Sequence, residues 1–71
     1  MDKNKQDVAY FLSFCIEQYM NAKGLPHNEV ISLLSENGVL DYLADHFEIL
    51  HTQSHRWIIE EIDEYITEHN R

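Results

Sequence analysis

DYLADHFEILHTQSHRWIIEEIDEYI, from Asp41 to Ile66, is the stretch whose reading decides the fold. Leucine, phenylalanine and isoleucine recur every three or four residues on both sides of Leu50-His51-Thr52-Gln53, the spacing of a helix that buries one side. A short polar turn between two such segments gives a helix, a turn and a helix. Ahead of the turn, Val39 or Leu40 with Leu43 and Phe47 form the buried side of a short helix from Val39 to about His46. Phe47 to Leu50 either continues that helix or runs extended, because Phe47 and Ile49 also alternate around Glu48. Beyond the turn, Thr52 or Ser54 is placed to cap a last helix. Its apolar stripe is Trp57, Ile58, Ile62, Tyr65 and Ile66, and its opposite face carries Glu60, Glu61, Asp63, Glu64 and Glu68.

Working toward the N-terminus, Asn37-Gly38 ends another helix, which Leu25-Pro26 opens and which carries Val30, Ile31, Leu33 and Leu34. Before it a long first helix runs to about Ala22 and stops at Lys23-Gly24, with Asp2 or Asn4 as its cap. Val8, Phe11, Leu12, Cys15, Ile16, Tyr19 and Met20 line it at helical spacing. Tyr10 and Phe14 widen that stripe beyond what one neighbour covers, so this helix is either central or partly committed to an external contact. The expected architecture is all-α, a compact bundle of about four helices in a single small domain spanning residues 1–71.

Composition narrows the function. Seventy-one residues bury a small core, which commonly needs a disulfide, a metal or a partner surface for support. Cys15 is the only cysteine, so no internal disulfide forms, and a lone thiol fits a reducing compartment. The chain shows no export signal and no apolar run of the roughly 18 residues that cross a bilayer. The expectation is a cytoplasmic protein, intact from its first residue. Five basic residues face thirteen acidic ones, for a net charge of −8, and no Lys or Arg stands between Gly24 and His55. Without a basic cluster there is nothing to hold a phosphate backbone, which argues against nucleic acid, and repulsion from anionic lipid argues against membranes. A basic partner, by contrast, is attracted at long range.

Candidate chemistry is thin. His51 and His55 are four apart, a spacing that places two imidazoles on one helical face. A zinc protease motif needs glutamate directly after the first histidine, where Thr52 stands, and the third ligand has to come from His46, His27 or a carboxylate. The plainer reading has His51 bonding backbone in the turn and His55 facing solvent; no metal or other cofactor is called for. Cys15 lies on an apolar stripe, where thiols are packing groups rather than nucleophiles. The paired carboxylates Glu60-Glu61 and Asp63-Glu64 sit on a solvated face, which does not separate their acidities as acid–base catalysis requires. Trp57 and Arg56 are residue types enriched in binding hot spots, but also read as a large core residue and a partner of Glu60 one turn on. Tyr10, Tyr42 and Tyr65 serve core edges and interfaces alike.

The order Phe14-Cys15-Ile16-Glu17, Gly38-Val39 with Asp41-Tyr42, Leu50-His51-Thr52-Gln53, then Glu61-Ile62-Asp63-Glu64-Tyr65 resembles a group of short bacterial proteins, domain of unknown function 3791. Phe47 stands where that group favours tyrosine. The resemblance implies a small intracellular bacterial protein. Members look like frequent genomic neighbours of proteins similar to ADP-ribosyltransferases, which implies an antitoxin-like or accessory role. His51, Thr52 and Gln53 carry over as a structural turn, with Thr52 capping the last helix and His51 tied to backbone or to Tyr42.

The favoured expectation is a non-enzymatic module for a protein partner of basic character. Glu60, Glu61, Asp63, Glu64 and Glu68 steer it, and Trp57 or Tyr65 anchors it. The alternative is a structural homo-oligomer closed by the broad stripe of the first helix. The outsider is a small metal-binding protein or enzyme built on His46, His51 and His55.

Overall fold

A computed structural model describes residues 3–69 of the chain. Five helices follow in order: α1 (Lys3–Lys23), α2 (His27–Glu36), α3 (Val39–Asp45), α4 (Phe47–Leu50) and α5 (His55–His69), with no strand among the described residues. The fold is an all-α bundle of four substantial helices and one helical turn.

The punctuation follows from backbone chemistry. α1 stops at Gly24, whose φ of +68° is a left-handed conformation that glycine adopts without a Cβ clash. From there the Gly24 and Leu25 amides both donate back to the Met20 carbonyl. Pro26 sits extended as the N-cap of α2, one position earlier than a first-turn proline. Asn37 ends α2: its amide and its side-chain Nδ2 both donate to the Leu33 carbonyl, which lets a buried asparagine satisfy itself. Gly38, at φ +73°, then turns the chain into α3. α1 begins at Lys3, so Asn4 lies inside the helix rather than ahead of it; Asp2, the other expected cap, is outside the described residues.

Phe47–Leu50 neither prolongs α3 nor runs extended. The backbone breaks at His46, and both the Ile49 and Leu50 amides donate to the His46 carbonyl, starting a separate turn. The break rotates Phe47 and Leu50 inward together and leaves Ile49 outside, as three-residue rather than two-residue spacing demands.

One core joins all five elements. Phe11, Cys15 and Tyr19 meet Val30 and Leu34 of α2, Val39 and Leu43 of α3, Leu50 of α4, and Ile58 and Ile62 of α5. Phe47 closes one end, packing edge-on against Phe11 with ring centroids 5.5 Å apart. α1 packs against α2, α3 and α5, which makes it the central helix. Its other side stays uncovered, with Tyr10 79% and Phe14 42% exposed.

Candidate functional site

The turn before α5 is tied almost wholly to α4. The Phe47 carbonyl accepts from the His51 amide at 2.9 Å and from His51 Nδ1 at 2.8 Å, which places the ring proton on Nδ1. The His51 ring lies on the Phe47 ring at 4.5 Å. Thr52 Oγ1 donates to the Ile49 carbonyl at 2.8 Å, and the Gln53 amide donates to the Leu50 carbonyl at 3.0 Å. These are the carbonyls that a helix leaves unpaired at its C-terminus. Leu-His-Thr-Gln is therefore the closing cap of α4. It is not the opening of α5: Thr52 points backward, and Ser54 caps α5, its Oγ accepting from the Trp57 amide at 3.2 Å. His51 is bound to backbone as expected and not to Tyr42.

From that cap α5 runs with two unlike edges. On one, Asp63 accepts from the Tyr19 hydroxyl at 2.6 Å and pairs with Lys23 Nζ at 2.7 Å, while Lys23 also lies 5.5 Å from the Tyr19 ring centre. Burial first, then this bond to Asp63, pushes the Tyr19 hydroxyl well above the ordinary tyrosine range. Asp63 is thus a clamp between α1 and α5 rather than part of a free acidic face.

On the other edge the Tyr42 hydroxyl donates to Glu61 Oε2 at 2.5 Å, and its ring stacks on Tyr65 at 4.5 Å. The bond to Glu61, helped by burial and nearby negative charge, pushes Tyr42 up to about 12. His46 leans on Tyr42 at 4.9 Å with its ring tilted by 57°, and His69 lies parallel to Tyr65 at 6.5 Å. A shallow cleft of about 480 Å³ opens beside it, lined by Glu61, Glu64, Tyr65, Glu68 and His69.

Trp57 belongs to this edge and not to the core. It is 38% exposed while Ile58 and Ile62 are buried, because a step of one residue turns the helix by about 100° and carries the indole off the buried stripe. Trp57, Glu61, Glu64 and Glu68 follow one another at spacings of four, three and four, a single row along the helix. Glu60 is exposed next to the row. Arg56 does not pair with Glu60; the ion pair found among the described residues is Lys23 with Asp63. An exposed pair gains little against the entropy of fixing two long side chains.

The three histidines are scattered among different jobs: His46 at the α3–α4 break, His51 in the cap, His55 exposed at the start of α5. His27, exposed at the start of α2, does not join them. Among the described residues no group of three His, Cys, Asp or Glu is placed to hold a metal ion. Cys15 is fully buried, and desolvation pushes its thiol up to about 12, so it is protonated at neutral pH. No described helix is long and apolar enough to cross a membrane.

Fold and surface together define a small helical domain with one self-capped turn and one aromatic, acidic helix edge. The chain belongs to a family described as a protein of unknown function (DUF3791), whose model matches residues 10–69. No curated protein and no solved structure matches it. The matched span takes in the α4 cap and all of α5.

Tyr19, Lys23 and Tyr42 are the site residues that reading the sequence missed as partners of α5. Tyr19 and Lys23 stand four apart, on one face of α1, but their carboxylate lies 44 and 40 residues away, beyond any local signal.

Proposed function

We propose that this chain is a non-enzymatic interaction module, and that the Trp57–Glu68 edge of α5 receives a basic protein partner. The observation that carries the reading is the placement of charge along that edge. Glu64 has a like charge one turn before it, Glu60, and another one turn after it, Glu68. Each such pair costs a helix about 0.2–0.5 kcal/mol. Glu68 stands in the last turn of α5, where the helix dipole disfavours a carboxylate, while the first turn holds Arg56, a disfavoured cation, and no acidic residue. A helix selected only for stability has the reverse arrangement. Charge set against local stability is what a recognition surface requires.

In this reading Glu60, Glu64 and Glu68 steer the partner, Trp57 and Tyr65 anchor it, and Glu61 is held in place by Tyr42. Asp63 is left to its structural clamp. The buried, protonated Cys15 supports packing rather than catalysis. A cytoplasmic bacterial setting and an antitoxin-like or accessory role, in which this small acidic chain covers a basic surface of its partner, belong to the same proposal.

The test is affinity capture from the native host on immobilised wild-type protein, in parallel with a Glu60→Lys/Glu64→Lys variant and a Trp57→Ala variant. One stoichiometric companion is expected on the wild type. Its association rate should fall on charge reversal and lose salt sensitivity, and its dissociation should quicken for Trp57→Ala. A companion that binds all three proteins with the same rates removes the α5 edge from the interface.

A further inference from the structure

The outward side of α1 offers a second surface, unlike the α5 edge in chemistry. Tyr10 and Phe14 stand one helical turn apart and are 79% and 42% exposed, beside a shallow hollow lined by Gln6, Ala9, Tyr10 and Ser13. We infer that this face is closed by a second copy of the chain, packed antiparallel as a two-fold dimer.

The charge map selects that occupant. Residues 3–23 hold three lysines against two carboxylates, net +1, so the rest of the −8 chain carries −9. Most of that charge lies in residues 39–69, where eight carboxylates face the single Arg56, so two copies approaching through α3 to α5 bring strongly acidic surfaces together; α2 adds two carboxylates and no Lys or Arg. Through α1 they meet on near-neutral ground. A basic partner is drawn instead to the acidic remainder of the molecule, since the Tyr10 face offers it Glu17 alone.

Shape points the same way. A two-fold interface must be self-complementary, each residue meeting its counterpart's opposite number. Antiparallel pairing centred between Phe11 and Leu12 sets Tyr10 of each copy against Ser13 of the other, and Phe14 against Ala9. Large side chains then fall on small ones at both places, and Gln6 comes opposite Glu17 to accommodate its carboxylate. A single contact of α1 with the acidic α5 of another copy is head-to-tail and builds rings or filaments rather than a two-fold dimer.

Sedimentation equilibrium of the purified chain tests this with no other protein present. The mass should rise from 8.5 kDa toward twice that value between roughly 1 and 500 μM and go no further. Tyr10→Arg places a charge on each side of the dyad and should weaken association roughly a hundredfold, while circular dichroism shows the fold intact. Ser13→Cys should cross-link on mild oxidation, and the control Ser32→Cys on exposed α2 should not, with the native Cys15 too buried to interfere. A monomer at 500 μM would mean that the face serves a different molecule and would overturn the inference. So would association that survives Tyr10→Arg, growth beyond the dimer, or equal cross-linking through Ser32→Cys. None of these outcomes bears on the α5 edge, whose partner is absent from the experiment.

Discussion

Asp63 is where an exposed carboxylate on a polar helix face and a structural clamp make opposite predictions. A solvated carboxylate can be removed at little cost, within about 0.5 kcal/mol. The geometry says otherwise. Asp63 accepts one bond from a nearly buried hydroxyl, Tyr19 at 2.6 Å and 4% exposed, and pairs with a half-exposed ammonium, Lys23 at 2.7 Å. A hydrogen bond to a charged group is worth about 1.5–3 kcal/mol, and an ion pair this exposed about 0.2–1 kcal/mol. Asp63→Ala should therefore cost about 2–3 kcal/mol, since it also strands the Tyr19 hydroxyl without its acceptor. Tyr19→Phe removes donor and hydroxyl together and leaves Asp63 with Lys23 and water, for about 1–1.5 kcal/mol. Lys23→Gln should cost less than about 1 kcal/mol. Urea unfolding followed by circular dichroism orders the three variants, and a drop of 1 kcal/mol lowers the melting point of a domain this size by about 4–8 °C. The double variant Tyr19→Phe/Asp63→Ala isolates the bond, with an expected coupling of about 1 kcal/mol or more. A coupling indistinguishable from zero, or a Lys23→Gln cost above that of Tyr19→Phe, would refute the clamp.

Three further outcomes follow from the same geometry. Tyr42 keeps its proton in the folded state up to about 12, so its contribution is fully present below the ordinary tyrosine value near 10 and is lost as pH rises from there through 12; the urea midpoint should fall over that window, and fall less in Tyr42→Phe. Ser54→Ala should cost about 1 kcal/mol through loss of the α5 cap, and Ser54→Asp should recover most of it, whereas Thr52→Asp should not, as Thr52 closes α4. Glu64→Gln should raise the melting point by relieving two like-charge pairs while slowing association with a basic partner, and a destabilised Glu64→Gln would show that the carboxylate is structural.

What could be read from the sequence, and what could not, divides along physical lines. Four helices were legible because their apolar positions repeat with the helical period, and their stops because Gly24, Pro26 and Asn37-Gly38 act through the backbone next to them. The α3–α4 break escaped because no proline or glycine marks it; His46 takes an unexceptional conformation there, and the gain lies in tertiary burial of Phe47 and Leu50. The same limit explains Thr52 and Ser54. Both are good caps, and only the path of the chain decides which carbonyl or amide each can reach. Trp57 was misplaced by a different route. An indole next to Ile58 looks like part of the stripe, but its edge position makes it half a surface residue. Glu60, Glu61, Asp63, Glu64 and Glu68 read as one solvated face, yet Asp63 and Glu61 flank the core and have tyrosine donors reaching them from α1 and α3.

Those two tyrosines sort the acidic residues of α5 into separate duties. Tyr19 and Lys23 neutralise Asp63 on the α1 side, so the seam with the central helix carries no uncompensated charge. Tyr42 donates to Glu61 on the α3 side, but a neutral hydroxyl leaves the carboxylate its charge, so Glu61 is oriented rather than cancelled. Past it, Glu64 and Glu68 continue at helical spacing with no cation supplied by α3 or α4, which hold none. The helix thus arrives at its exposed edge with rigid aromatic support beneath and negative charge above. A flexible acidic tail would have had to give up conformational entropy on meeting a partner, whereas this row is already ordered by the stack of Tyr42 on Tyr65. The same stack and the Tyr42–Glu61 bond also support the lone bundle, and under the proposed function their preorganisation shortens the work of recognition.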